Sequence, residues 1–504
     1  MNPSNAITWL IAIPLCSSAL IYLIGRICVR FSKNCAIRPA KWLAVVALLA
    51  TTYPLFVAGT EFLSNGSFEV MYNSIALQMD GIALLLAGIV VGLGLLATIF
   101  SATYMHKDIG EEKFYALLTA LIGSIIGLGL AADLFNLWVW FEAMTITGYT
   151  LVAFYQSQKG SLEAGVKYLV QSAAGSVLVL LGIVLVFMQT GSVNMAEVSS
   201  AVNYTTTMSY IIAGALFIIG FGVKTALVPL HTWLPDAHSQ APSGISAMLS
   251  GVVIEAGLIA LLRSVGAISN ASSQWGTILL VMGALNIALG NLMALRQTEV
   301  KRLLAYSSIS HIGYMLIGFG VTMGFGSVTG AAGGFFHMTT HAMMKGLAFF
   351  CAGTLLYTLH LANGNHKPLI LDDLNGVSKR YPIVALAFSI AVLALGGLPP
   401  LAGFMSKWQI FVAGFGTQNI WVQILVIFAA FNSVLSLGYY APLVNRMYRK
   451  EPSAIVEQGK PVTFSLGFPI IVLTILVIVI GFYPTIMSWI TQPAGISLLT
   501  IFGA

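Results

Sequence analysis

Residues 220–238 read GFGVKTALVPLHTWLPDAH. Lys224 stands in an apolar run that begins near Tyr210, which sets its ammonium deep in a hydrophobic helix. The helix is then interrupted at Pro229 and Pro235, and His231 and His238 follow. Proline can break a membrane span only where the freed backbone groups meet protein or water. This stretch therefore predicts a membrane protein with a polar interior.

The composition agrees. Of 504 residues, 58% are hydrophobic and 8% charged, against about 25% charged in soluble globular chains. The net charge of +6 reflects loop bases that set topology rather than a nucleic-acid or other anionic partner. The N-terminus, MNPSN, has no basic n-region, so AITWLIAIPLCSSALIYLIG (residues 6–25) reads as a retained span and not a cleaved signal. Cys16, Cys28, Cys35 and Cys351 show no CxxC or Cys/His ligand spacing. The expectation is that the chain holds no metal, cofactor or redox centre of its own.

Fourteen apolar runs of spanning length begin near Ala6, Lys41, Met79, Phe114, Asp133, Gly165, Ser209, Ala241, Trp275, Val300, Ser327, Tyr381, Trp421 and Phe464. Nineteen of the 23 bases then fall in alternate loops. These loops carry Arg26, Arg30, Lys33, Arg38 and Lys41; Lys107 and Lys113; Lys159 and Lys167; Arg296, Lys301 and Arg302; Lys367, Lys379 and Arg380; Arg446, Arg449, Lys450 and Lys460. The opposite loops carry Glu61, Glu69 and Glu197. By the positive-inside rule the basic loops face the cytoplasm and both termini face outward. Four bases remain: Lys224, Arg263, Lys345 and Lys407. Arg263, near the outer end of span 8, is expected to snorkel to the interface.

Span 12 breaks at GGLPPLAGF (residues 396–404), as span 7 breaks at VPLHTWLP. The two breaks lie five spans apart, so each is the fourth member of a five-helix group, spans 4–8 and spans 9–13. Span 4 starts inside and span 9 outside, which inverts one group relative to the other, the pattern of a coupled ion path near the midplane. The expected fold is an all-α polytopic membrane protein of about fourteen helices. It forms one membrane domain, with N-terminal helices at 1–113, repeats at 114–265 and 275–450, and a final helix 14 at 464–504.

Ionisable side chains at membrane depth cost several kcal/mol unless paired or hydrated, which makes each a functional candidate. Glu142 lies midway along span 5, and Glu255 lies in SGVVIEAGLIALLR of span 8. Burial disfavours the charged form of carboxyl and ammonium alike. A carboxylate that approaches a buried lysine holds it charged, and its withdrawal releases the proton. Arginine does not deprotonate in proteins, so lysine suits such a switch. On this reading Glu142 controls Lys224, while Glu255 passes protons on or neutralises Lys224.

In the second group His311 lies in SSISHIGYM, and FHMTTHAMMKG supplies His337, His341 and Lys345 at helical i, i+4, i+8 spacing. HMTTH lacks the glutamate of a zinc-protease HExxH, and a relay of imidazoles and ammonium fits better than a metal site. The proposed path is therefore Glu142, Lys224, Glu255 and Lys407, with His231, His311, His337, His341 and Lys345 as relay groups. Asp236 and His238 are secondary; they lie with Asp80 and Asp133 at span ends, where capping or interface solvation is the ordinary role.

Four motifs, FNLWVWFEAMTITGY (135–149), GFGVKTALVPLHTWLPDAHSQAPS (220–243), KRLLAYSSISHIGYM (301–315) and GGLPPLAGFMSKWQIF (396–411), carry a resemblance. The chain resembles the antiporter-like, proton-conducting subunits of respiratory complex I, a family shared with Mrp-type cation/proton antiporters and membrane-bound hydrogenases. The resemblance runs from MDGIALLL near Asp80 to SLGYYAPLV at 436–444. It implies a midplane chain in which Glu142 and Lys224 are the coupled pair and Lys407 is the terminal lysine. His311, His337 and His341 would lie between them. Many members put lysine where this chain has Glu255, so its relay would start from a carboxyl. Lys345 resembles the Mrp and hydrogenase pattern. The implied role is a proton-translocating subunit of a multisubunit NADH dehydrogenase-like or hydrogenase-like complex in a prokaryotic inner membrane, with redox chemistry in partner subunits. The alternative is a subunit of an Mrp-type Na⁺/H⁺ antiporter; an autonomous solute transporter ranks below both.

Overall fold

In the computed structural model, residues 1–31, 39–73, 75–106, 110–204 and 208–502 are described. Lys33, Cys35, Arg38 and Lys107 lie outside the described residues. Helices α1 (Pro3–Phe31) and α2 (Pro39–Asn65) lead into a hairpin of β1 (Phe68–Tyr72) and β2 (Ile75–Met79), paired from Phe68↔Met79 to Tyr72↔Ile75. Then come α3 (Gly81–Tyr104), α4 (Glu111–Leu130), α5 (Leu134–Val152) and α6 (Lys159–Thr190). A short α7 (Met195–Tyr204) precedes α8 (Met208–Lys224) and α9 (Trp233–Gln240). Next are α10 (Ser243–Ala267), α11 (Trp275–Ala294), α12 (Val300–Phe325) and α13 (Val328–Leu359). The chain finishes with α14 (Pro382–Gly396), α15 (Ala402–Gly416), α16 (Ile420–Arg449), α17 (Phe464–Phe482) and α18 (Ser488–Ile501).

The chain is all-helical as expected, apart from one short hairpin that the expectation did not include. FEVMY and IALQM are too short to raise a strand signal beside two long apolar runs, and each strand is only five residues. The C-terminal segment also differs: the stretch taken as one final helix is two, α17 and α18, separated at Tyr483–Pro484.

Among the described residues, eleven helices are long and apolar enough to cross a membrane, so the protein is multi-pass. α8 and α14 are apolar but shorter, 17 and 15 residues. Helix α13 lies at the centre of the bundle, packed against α10, α12, α14, α15, α17 and α18. Its 32 residues are nearly all buried, over a length of roughly 48 Å at 1.5 Å per residue. The outer helices turn apolar side chains outward, as expected beside lipid: Val170 and Val177 on α6, and Phe431, 71% exposed, on α16. Small residues bring α11 and α12 into backbone contact: a Cβ on Gly283 would meet the Gly313 carbonyl at 2.9 Å.

Two buried acids begin helices. Asp80 caps α3 by accepting from the Ala83 amide (2.8 Å), and Asp133 caps α5 through the Asn136 amide (2.6 Å). Both meet the capping expectation. Arg263 does not snorkel. It is 2% exposed and ion-pairs with Asp80 (2.9 Å) while donating to the Gly129 carbonyl (2.9 Å). A charged partner on another helix offsets its desolvation, which the sequence of span 8 alone could not reveal. Lys301, counted above as a loop base, is also buried and donates to the Ala241 carbonyl (2.6 Å).

Candidate functional site

The first helix interruption positions Lys224. α8 ends at this lysine, and the backbone runs irregularly to α9. Its freed groups find protein partners. Asn286 of α11 accepts from the Val228 amide (2.9 Å) and donates to the Ala226 and Ile309 carbonyls (3.3 Å each). Trp233 Nε1 donates to the Val223 carbonyl (2.7 Å). The break therefore sits in polar surroundings built for it.

Lys224 is 1% exposed. Its ammonium donates to the Tyr168 hydroxyl and lies 4.4 Å from the centre of the same ring. Tyr168 stacks on Trp233 at 3.9 Å, which fixes the phenol. Glu142 is near enough to act on Lys224 electrostatically, yet the two form no direct ion pair, and Glu142 Oε1 is buried without a hydrogen-bond partner. The acid and lysine are neighbours, separated in this conformation.

Glu255 follows a π-helical turn, Leu249–Val253, within α10. Such turns re-aim the side chains beyond them. Gly257, two residues on, faces the Lys224 stem, where an added Cβ would come within 3.1 Å. The carboxyl itself points the other way: Oε1 meets His341 Nδ1 at 2.7 Å, with both side chains fully buried. Glu255 Oε2 and His341 Nε2 have no hydrogen-bond partner.

Beyond His341 the other two histidines are joined to each other, with His341 beside them. The His341 and His311 rings lie 5.1 Å apart. His311 Nδ1 meets His337 Nε2 at 2.9 Å, and His337 Nδ1 meets the Ser406 hydroxyl at 2.8 Å. Tyr314 lies 5.9 Å from both the His311 and His337 rings, and the Lys407 ammonium sits over Tyr314 at 4.5 Å. Each imidazole has two nitrogens, so it can accept a proton on one side and release one on the other.

Lys407 reaches back across the second break. It donates to the Leu395 carbonyl (2.8 Å), in the last turn of α14, and to Ser433 (2.9 Å). An ammonium is favoured at that negative helix end. Gly397 closes α14 at φ +81°, a conformation open to glycine, and a Cβ there would press on the Ser433 hydroxyl at 2.9 Å. Lys345 donates to the Leu304 carbonyl and to Ser307, both at 2.7 Å.

The remaining candidates lie apart from this chain. His231 is half-buried, its ring 6.4 Å from Tyr306. Asp236 accepts from Lys167 (3.0 Å) and Arg302 (2.7 Å), which ties α9 to α6 and α12. His238 is fully buried and stacked on Phe349 at 4.7 Å, with both ring nitrogens unpartnered. Lys301 and Lys345 both act on it electrostatically. Near the loop end, burial pushes the Glu299 carboxyl above its ordinary range, although Ser239 donates to it at 3.0 Å.

Sequence reasoning missed the neutral partners: Tyr168, Asn286, Tyr314, Ser406, Ser307 and Ser433. Ser406 stood beside Lys407 in the quoted GFMSKWQ, and Ser307 and Tyr314 within KRLLAYSSISHIGYM. Tyr168 and Asn286 carried no such signal.

The chain has relatives of known family. Residues 131–436 match the family described as "NADH:quinone oxidoreductase/Mrp antiporter, TM", and residues 63–115 match "NADH-Ubiquinone oxidoreductase (complex I), chain 5 N-terminus". The chain is 32% identical to F(420)H(2) dehydrogenase subunit N of Methanosarcina mazei, over 88% of this chain and 90% of that one. It is 31% identical to NADH-quinone oxidoreductase subunit N of Desulforudis audaxviator, over 94% and 95%. Its fold superposes on a chain of the membrane-bound sulfane sulfur reductase, an archaeal respiratory membrane complex, with TM-score 0.87, 29% identity and 98% of each chain covered.

Proposed function

We propose a function from this premise: the chain belongs to the NADH:quinone oxidoreductase/Mrp antiporter transmembrane family. It is a proton-translocating subunit of a multisubunit respiratory complex. Its relatives are named as subunits of F(420)H(2) dehydrogenase and NADH-quinone oxidoreductase, so partner subunits supply the redox chemistry and this chain supplies the path. The observation that carries the reading is the buried row in which Glu255 bonds His341, the His341 ring lies beside His311, and His311 bonds His337, which bonds Ser406, the residue before Lys407.

In this reading Lys224 is the switch. Held by a phenol and not by a carboxylate, it can lose its proton; when Glu142 approaches, the charged form is favoured. A sub-ångström to few-ångström movement of α5 or α8 would then set its protonation, and redox events elsewhere in the complex would drive that movement electrostatically. Protons enter from the inner side past His238 and the α8–α9 break, cross by Glu255 and the histidines, and leave near Lys407.

The full architecture belongs to the same proposal. Fourteen spans result if α5 crosses once and the pairs α8–α9 and α14–α15 each cross once, in addition to the eleven long helices. α8 and α14 are apolar but stop short at the breaks, at 17 and 15 residues, and α5 carries the acid Glu142. Repeats at 114–265 and 275–450 are inverted, the basic loops face the interior of a prokaryotic cell, and both termini face outward. No cofactor is assigned to this chain.

The family description also names Mrp antiporters, so the second reading is a subunit that exchanges Na⁺ for H⁺. Purification of the native assembly separates the two. Flavin, iron–sulfur or nickel in the particle gives the respiratory reading; an assembly of membrane subunits that exchanges Na⁺ for H⁺ without electron input gives the other. Lys224→Met should assemble and fail to translocate, and full pumping by that variant would end both.

A further inference from the structure

We propose that a polar cavity at the basic-loop end of the bundle is the proton inlet, and that Lys301 at its floor is a latch that opens by moving to Glu299. This rests on the proton-translocating reading and specifies where its inner entry lies.

The cavity has a volume of about 70 Å³ and lies where α9 ends and α6 and α12 begin. Gln158, Ser239, Gln240, Lys301, His366 and Lys367 line it. His366 and Lys367 are exposed at its rim, whereas Lys301 is 2% exposed. That volume, with those donors and acceptors, suits a short chain of waters. Larger cavities of about 350 and 270 Å³ are walled by apolar side chains such as Phe411 and Leu93 and suit lipid instead.

Glu299 and Lys301 meet the same residue and not each other. The Ser239 hydroxyl donates to Glu299 Oε2 at 3.0 Å, while the Lys301 ammonium donates to the Ala241 carbonyl at 2.6 Å and the Ser239 carbonyl at 3.5 Å. Glu299 Oε1 is buried without a hydrogen-bond partner among the described residues. Arg302, the next base along, is committed to Asp236 at 2.7 Å. A buried acceptor is therefore open to Lys301. The present arrangement is the closed one, because an ammonium on the cavity floor repels an incoming proton. Turning the lysine stem to Glu299 Oε1 pairs the charge and frees two carbonyls to hold water. No proton is transferred in that step; the ammonium only changes partners. The way inward then leads to His238, which adjoins Ser239 and stacks on Phe349. Phe349 is four residues beyond Lys345 on α13, so the histidine sits about one helical turn from that lysine.

Capping alone does not account for the pair. An ammonium at the C-terminal end of α9 is favourable by itself, but such a clamp needs no acid beside it. A buried carboxyl with one oxygen unpaired costs stability, and glutamine at 299 would accept from Ser239 equally well without a charge to bury.

The test uses the native assembly reconstituted in vesicles, with proton translocation followed by a pH-sensitive dye and subunit content confirming assembly. Glu299→Gln removes the latch's open position and should slow translocation about tenfold; adding Lys301→Gln removes the latch and should recover most of that loss. A second substitution that repairs the first is not expected of two packing residues. A double variant as slow as Glu299→Gln, or slower, overturns the latch, as does an undiminished rate in Glu299→Gln. The cavity is tested separately. Gln158→Cys places a thiol at the mouth, and a bulky, membrane-impermeant methanethiosulfonate applied from the basic-loop side should stop most of that variant's translocation while sparing the assembly without the substitution. If the modified variant, its labelling confirmed by mass, pumps as fast as the unmodified one, the cavity is not the inlet. Full pumping by Lys224→Met would instead remove the translocation reading itself, independently of these outcomes.

Discussion

The region around Lys224 and the region around Lys345 and Lys407 solve the same problem differently. Each buries ammonium groups beside a broken helix. Lys224 has one hydrogen-bond partner, the Tyr168 hydroxyl, and an acid nearby that it does not touch. Lys345 and Lys407 each hold a backbone carbonyl and a serine, and close by His311 bonds His337 while His341 bonds Glu255. A sparse site responds to small displacements, because one contact made or lost decides the charge state. A dense site passes protons but resists control, because many partners share each charge. The contrast teaches that the first region suits a gate and the second a wire.

The contrast predicts unequal sensitivity. Lys224→Met removes the only ammonium of the gate, and translocation by the assembled complex should fall to background in dye-quench assays. A residual rate above a few per cent, with assembly intact, would mean that the gate has a bypass. Tyr168→Phe keeps the stacked ring and deletes the hydroxyl; a loss of about tenfold is expected, equivalent to roughly 1.4 kcal/mol in the barrier. Rescue by no other substitution at 168 would mark the hydroxyl itself as the requirement, while an unchanged rate would show that the cation–π contact suffices. His337→Gln should cost less, about threefold, since an amide at 337 can still hydrogen-bond His311 and Ser406. Were His337→Gln the most damaging of the three, the gate and wire assignments would have to be exchanged.

Much of this was legible before any coordinates. Lys224, Glu255, the 337, 341, 345 face and the two proline breaks stand out because charge and proline are expensive inside a membrane. The hairpin at 68–79, the division of the C-terminal segment and the Arg263–Asp80 pair did not. Strand pairing and a 183-residue ion pair depend on tertiary neighbours, and local pattern carries no trace of them. Neutral hydroxyls and amides were invisible for another reason: serine, tyrosine and asparagine are affordable in a span, so their presence raises no alarm. The sequence therefore displays where charge is stored and hides what the charge is bonded to.

The smallest effect expected distinguishes the two breaks themselves. At the first, Asn286 alone satisfies the Val228 amide and spans to two carbonyls. At the second, the Leu395 carbonyl is held by Lys407, and Ser433 donates to the Gly396 carbonyl at 3.0 Å. Asn286→Ala leaves a buried amide without a partner, which costs about 1–3 kcal/mol, and should lower the thermal stability of the assembly by a few degrees. Ser433→Ala leaves a carbonyl whose helix end still has the lysine ammonium beside it, so its cost should be nearer 1 kcal/mol. Thermal unfolding of the two variants in detergent gives the order directly. Should Ser433→Ala prove the more destabilising, the serine and not the lysine holds the second break. Lys407 would then be free to move its proton without loosening the helix, and the wire would be more rigid than its hydrogen bonds suggest.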